Sequence, residues 1–174
     1  MQIKPLHPLF AAEITGLDTA APLTPQIVAG FEQAMAEHAV CVVRDASLDD
    51  ADHIRFSRAF GPLELPPGSR GRIAPELYDI SNLDAAGEII PFDPNAKAPP
   101  IDFERFHTDS PFNSMPTKYS FLLCHVAPPE GADTLFIDTR AAYEDLGQGM
   151  KDRIEGLVAE HDMFRALERP GGVF

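Results

Sequence analysis

A helix-stop dipeptide, Gly61-Pro62, divides this chain into two regions of different character. Glycine supplies the backbone freedom that ends a helix, and proline cannot continue one. From Pro62 to Pro100 prolines and glycines recur, broken by one candidate strand from Leu77 to Asn82. An irregular stretch of that length inside a domain is more typical of a functional loop or lid than of a linker.

Upstream, the segment from Ile3 to Asp18 alternates weakly and carries Gly16, which suits a strand and a turn. Thr24-Pro25 reads as a helix start, with threonine as N-cap and proline at the first helical position. Ile27, Phe31, Ala34 and His38 then share one helical face, and the helix closes near residue 38. Ala39 to Arg44 is a short β-branched strand, expected to be buried on both faces. A second helix, capped by Asp49 or Asp50, runs to Phe60.

Downstream, Thr117 to Ala127 and Thr134 to Ile137 read as strands around the turn Pro128-Pro129-Glu130-Gly131. Asp138 or Thr139 can cap a helix over Arg140 to Leu146. A last helix is expected from Met150 to His161, with Met150, Ile154, Leu157 and Val158 facing the core. Helices near the N-terminus followed by short strands predict an α+β or mainly β fold. The length, 174 residues, suits a single domain spanning 1–174.

Composition narrows the function. A formal charge of −13 argues against a nucleic-acid surface, which needs clustered Lys and Arg. It also means that an anionic substrate needs local cations against an unfavourable field. No apolar run approaches the roughly 20 residues of a membrane helix. Residues 1–10 lack the apolar region of a secretion signal, so the expected location is cytoplasmic. Cys41 and Cys124 lie in apolar runs without zinc-ligand spacing and read as small buried hydrophobes.

The stretch that carries chemistry is Phe106-His107-Thr108-Asp109-Ser110-Pro111-Phe112. On extended backbone, residues i and i+2 point to the same side. His107 and Asp109 can therefore aim an imidazole nitrogen and a carboxylate oxygen at one point. Those are two vertices of a facial site of two histidines and one carboxylate, which leaves positions open for a cosubstrate and O₂. The tripeptide alone is weak evidence, because a histidine beside a turn is more commonly an ordinary surface hydrogen-bonding residue.

Its surroundings decide between the two. FHTDSPF, PTKYSFLLCHVAPPEGADTLFIDTRAAYEDL and IEGLVAEHD together resemble the taurine/2,4-dichlorophenoxyacetate dioxygenase family. PLHPLFAAEITGLD, VCVVRD and FSRAFGPLE extend the match over nearly the whole chain, and the opening residues look closest to the aryloxyacetate-degrading branch. The resemblance implies an Fe(II)- and 2-oxoglutarate-dependent dioxygenase with a double-stranded β-helix (jelly roll) and flanking helices. The chain would form the N-terminal portion of that domain. His107 and Asp109 match the first two iron ligands, and Thr134 matches the threonine that bonds the distal carboxylate of 2-oxoglutarate. The implied reaction oxidises 2-oxoglutarate to succinate and CO₂ and hydroxylates a carbon next to oxygen or sulfur. The implied substrate is a small organic acid of aryloxyacetate, sulfonate or sulfate-ester type.

The match has departures. Phe106 stands where the family usually has Trp, and Gly131-Ala132 replaces Gly-Gly, which requires negative φ at Ala132. The family's third ligand, a distal histidine, and its 2-oxoglutarate arginine have no counterpart before Phe174. His125 is expected in a core or hydrogen-bonded role, and His161 outside the iron site. His7, His38 and His53 read as structural or solvated. Arg70 and Arg72, in the proline-rich loop, are the candidates for holding a substrate anion. A homo-oligomer is possible on this reading. The alternative is a fragment that does not turn over alone, or a cupin-like metal protein without 2-oxoglutarate chemistry.

Overall fold

The computed structural model of the chain describes residues 1–65, 74–78, 80–81, 83–84, 86–91, 106–127, 129–131 and 133–162. They belong to two compact units. The first comprises Met1–Tyr78 and Phe121–Arg153, and the second Asp79–Ser120 and Ile154–Phe174.

The first unit is built on a three-stranded sheet. Strand β1 (Gln2–Pro5) pairs antiparallel with β2 (Ala12–Thr15), setting Gln2 opposite Thr15 and Pro5 opposite Ala12. Strand β3 (Cys41–Val43) lies parallel on the other side of β2, with Ala12 opposite Cys41 and Ile14 opposite Val43. Parallel pairing demands a crossover connection, and helix α1 (Pro25–His38) provides it. Ala12 and Ile14, two residues apart, are almost wholly buried on one face of the central strand. Phe31 and Ala34 of α1 pack there, joined by Phe56 from helix α2 (Asp50–Arg58). Phe31, Phe56, Phe60 and Phe121 form an aromatic cluster, with ring centroids 5.1–6.5 Å apart. Tilted and edge-on pairs at such distances suit the ring quadrupoles.

The helix ends follow local chemistry. Thr24 Oγ1 accepts from the Ile27 amide at 3.3 Å, and Pro25 occupies the first turn. Ala39 stops the helix at φ +61°, and its amide returns to the Met35 carbonyl. Asp49 caps α2 by accepting from the Asp52 amide at 2.8 Å. Asp50 and Asp52 then sit at its positive end, with Arg55 and Arg58 at its negative end.

Asp138 caps α3 (Thr139–Glu144), accepting from the Arg140 amide at 2.9 Å. The same carboxylate grips the Arg140 guanidinium through Nε and Nη2, both at 3.0 Å. Arg140 Nη1 donates 2.6 Å to the Ala36 carbonyl and Nη2 3.4 Å to that of Glu37. These are among the last carbonyls of α1, which have no partner within their own helix. The Arg140 hydrogen bond holds the Asp138 carboxyl below its usual range, and Asp138 raises Arg140 in return.

A second polar contact joins α2 to the segment after Phe121. His125 Nε2 stands 3.4 Å from Asp50 Oδ1, and the half-buried His53 bonds the Phe121 backbone. Burial lowers the His53 imidazole from its ordinary value. Asp50 opposes that shift, His125 reinforces it, and the backbone bond opposes it. An unfolded histidine titrates near about 6.5. Because the folded state binds this proton more weakly, stability from neutral His53 is full above that pH and declines below it. The thermal midpoint should therefore drop as pH falls from about 6.5 to 5.5, and His53→Gln should flatten that part of the profile. Superimposable profiles would assign the slope to other groups.

Several expectations from sequence are corrected here. Among the described residues a three-stranded sheet stands with four helices, which fits the α+β expectation, and helical positions outnumber strand positions there. Thr117 to Ala127 and Thr134 to Ile137 form no strands. A strand exists only through a neighbour's hydrogen bonds, and among the described residues no ladder reaches these segments. Leu122, Val126, Leu135 and Ile137 are correspondingly exposed. Helix α4 (Gln148–Ile154) ends well short of His161, and Gly156 follows at φ +77°. Met150, Ile154, Leu157 and Val158 are exposed rather than core-facing. β3 is half-buried along its length. Both cysteines are free thiols, but Cys124 is exposed and only Cys41 is partly covered, its thiol pushed up by burial.

Of the expected strand from Leu77 to Asn82, Asp79 and Asn82 lie outside the described residues, and Leu77, Tyr78, Ile80 and Ser81 are in no strand. The nearest pairing is an isolated antiparallel bridge between Leu83 and Ile89. It closes over a turn in which the Asp84 carboxylate accepts from the Ala86 and Glu88 amides. Among the described residues no helix is long and apolar enough to cross a membrane.

Candidate metal centre

His107 and Asp109 lie together in the second unit. The segment carrying them is not a strand, yet the two side chains converge, with His107 Nε2 3.4 Å from Asp109 Oδ1. Each is more than half exposed, at 57% and 52%, so the pair faces solvent and is open to small molecules. Immediately afterwards the chain reverses. Ser110 adopts φ +49°, a strained value for a residue with a Cβ. Its carbonyl accepts from the Asn113 amide at 3.2 Å, closing a turn with Pro111 in the second position.

The returning chain brings Ser120 back to the pair, where its hydroxyl donates to Asp109 Oδ2. Asp109 therefore divides its work, one oxygen bonded to Ser120 and the other beside the imidazole. No reading of the sequence singled out Ser120. It lies 11 residues from its partner, and only the intervening turn makes them neighbours.

The donor set suits a first-row divalent ion. Nitrogen and oxygen ligands bind such ions at roughly 2.0–2.2 Å. Two such bonds together exceed the separation of Nε2 and Oδ1, so both atoms can reach one ion. An imidazole with a carboxylate is also the pairing that Fe(II) accepts. Among the described residues no group of three or more His, Cys, Asp or Glu side chains is placed to hold a metal. His125 sits with Asp50 in the first unit.

The remaining candidates are placed less fully. Thr134 is exposed and belongs to the first unit, outside any strand. Gly131, which opens its turn, takes φ +74°, a conformation natural to glycine. Ala132, Arg70 and Arg72 lie outside the described residues.

A histidine beside a carboxylate on an exposed turn offers the nitrogen and oxygen donors that a divalent metal accepts. Residues 2–172 match the model of the taurine catabolism dioxygenase TauD, TfdA family, and the chain belongs to that family. It is 38% identical over 162 residues to an alpha-ketoglutarate-dependent 2,4-dichlorophenoxyacetate dioxygenase of Burkholderia sp. (strain RASC), covering 90% of this chain and 54% of that protein. The Cupriavidus pinatubonensis (strain JMP 134 / LMG 1197) protein of the same name is 39% identical over 164 residues, covering 91% and 57%. The chain thus spans little more than half the length of these relatives. Among solved structures, AAD-2 in complex with Mn(II) and N-oxalylglycine superimposes with a TM-score of 0.78 at 32% identity, covering 98% of this chain and 62% of that one.

Proposed function

We propose that this chain carries part of the active site of an Fe(II)- and 2-oxoglutarate-dependent dioxygenase that hydroxylates a small organic acid. The observation that carries the reading is the convergence of His107 Nε2 and Asp109 Oδ1 in a chain of this family. His107 and Asp109 are proposed to hold the iron. When bound, the iron would supply activation of O₂ at the expense of 2-oxoglutarate, which is converted to succinate and CO₂. The protein's part is binding and orientation. The proposed complete fold is the jelly roll implied by the family. Support for an aryloxyacetate as substrate comes from the two relatives named above. Sulfonates and sulfate esters are the neighbouring chemistries that a panel must include.

Thr134 is proposed to donate its hydroxyl to the distal carboxylate of 2-oxoglutarate. Hydrogen bonds to charged groups contribute roughly 1.5–3 kcal/mol. Thr134→Ala is accordingly expected to raise the 2-oxoglutarate requirement by about 10-fold or more, with little change in thermal midpoint because the side chain is exposed. An unchanged requirement removes Thr134 from the site. Arg70 or Arg72 is proposed to offset the chain's negative field for an anionic substrate.

The deciding experiment is oxygen uptake by the gene product with Fe(II), 2-oxoglutarate and a panel of aryloxyacetates, sulfonates and sulfate esters. Succinate formed in step with oxygen consumed supports the reading. Metal binding without any dependence on 2-oxoglutarate would instead favour a metal protein of other chemistry.

A further inference from the structure

We propose that Ser120 is a positioning residue that makes Asp109 a one-oxygen ligand, and so keeps a coordination position open beside His107. The inference rests on the iron-site reading above and adds a residue to it.

A carboxylate can bind a metal through one oxygen or through both. The choice matters in a facial site, where three protein donors leave three positions for a bidentate cosubstrate and O₂. A carboxylate that closes onto the metal with its second oxygen occupies one of those positions. In this chain the Ser120 hydroxyl donates to Asp109 Oδ2, while Oδ1 is the oxygen that stands 3.4 Å from His107 Nε2. The hydrogen bond thus engages the oxygen that would otherwise swing onto the ion. It also fixes the rotation of the carboxylate plane, presenting Oδ1 on the histidine side.

The contact is poorly suited to a purely structural purpose. Ser120 is exposed and Asp109 is 52% exposed, and exposed polar pairs contribute little to fold stability. The backbone between them is also strained, at φ +49° on Ser110. A solvent-facing contact reached through such a turn is more readily explained by what it does to Asp109. Hydrogen-bond partners behind a ligand commonly change metal affinity by about 10–100-fold.

The test uses Co(II), an absorbing substitute for Fe(II), titrated into the wild-type gene product and into its Ser120→Ala, Ser120→Thr and Ser120→Gly variants. Metal-induced infrared difference spectra report whether the carboxylate binds through one oxygen or two. Ser120→Ala should weaken Co(II) by about 10-fold and shift the carboxylate bands toward the two-oxygen pattern. Its metal-free thermal midpoint should match the wild type. Ser120→Thr, which keeps the hydroxyl, should restore both affinity and bands. If Ser120→Ala does not fold, Ser120→Gly, which also removes the hydroxyl, takes its place. Wild-type affinity and unchanged bands in the donor-deficient variant overturn the inference while leaving the iron site standing. A Ser120→Thr protein as impaired as Ser120→Ala also overturns it. A wild-type gene product that takes up no Co(II) overturns the iron-site reading, and this inference with it.

Discussion

Phe31→Ala is expected to lower the unfolding free energy of the first unit by about 3–5 kcal/mol, the usual cost of truncating a buried phenylalanine. Phe31 is 4% exposed and meets three other rings, with Phe60 at 5.1 Å, Phe56 at 5.9 Å and Phe121 at 6.5 Å. It also packs with Ile14 of the central strand. Removing its ring leaves a cavity among partners that cannot all move inward, so the loss exceeds the transfer free energy alone. Total stabilities of about 5–15 kcal/mol are typical of natural domains, so the substitution should leave the fold marginal. Urea unfolding followed by circular dichroism measures the change. A loss below about 1 kcal/mol would mean that the aromatic cluster is loosely packed in solution.

His107→Ala is expected to have the largest effect on activity, abolishing iron- and 2-oxoglutarate-dependent turnover of the gene product. It removes one of the two donors that converge in the second unit. Because the imidazole is 57% exposed, its loss uncovers little apolar area and the thermal midpoint should hardly move. Loss of Co(II) binding together with an unchanged melt distinguishes a missing ligand from a damaged fold. Turnover equal to the wild type would exclude His107 from the metal.

What could be read in advance divides along the range of the forces involved. Helices α1, α2 and α3 were legible almost to the residue at their starts, because Thr24, Asp49 and Asp138 bond to amides two or three residues away. Such chemistry is written locally. The pairing of His107 with Asp109 was legible for the same reason, since a spacing of two residues suffices to bring them together. The segments after Thr117 were not. Their β-branched and apolar composition is a strand's, but composition cannot supply the neighbour that a ladder requires. Apolar periodicity runs on through Val158, but helix α4 stops at Ile154 and Gly156 follows at φ +77°. Ser120 lay beyond local reading altogether, since its relation to Asp109 depends on a reversal at Ser110.

The Arg140 clasp has a consequence for the order in which the chain becomes structured during synthesis. Its acceptor on α1, the carbonyl of Ala36, is separated from it by 104 residues. Strands β1, β2 and β3 and both helices between β2 and Phe60 can leave the ribosome long before Arg140 is made. At about 5–20 residues per second, that interval lasts roughly 5–20 seconds. Throughout it, water alone serves the last carbonyls of α1 that Arg140 later takes. This end of α1 therefore stays open until late in synthesis, when Arg140 of α3 closes it.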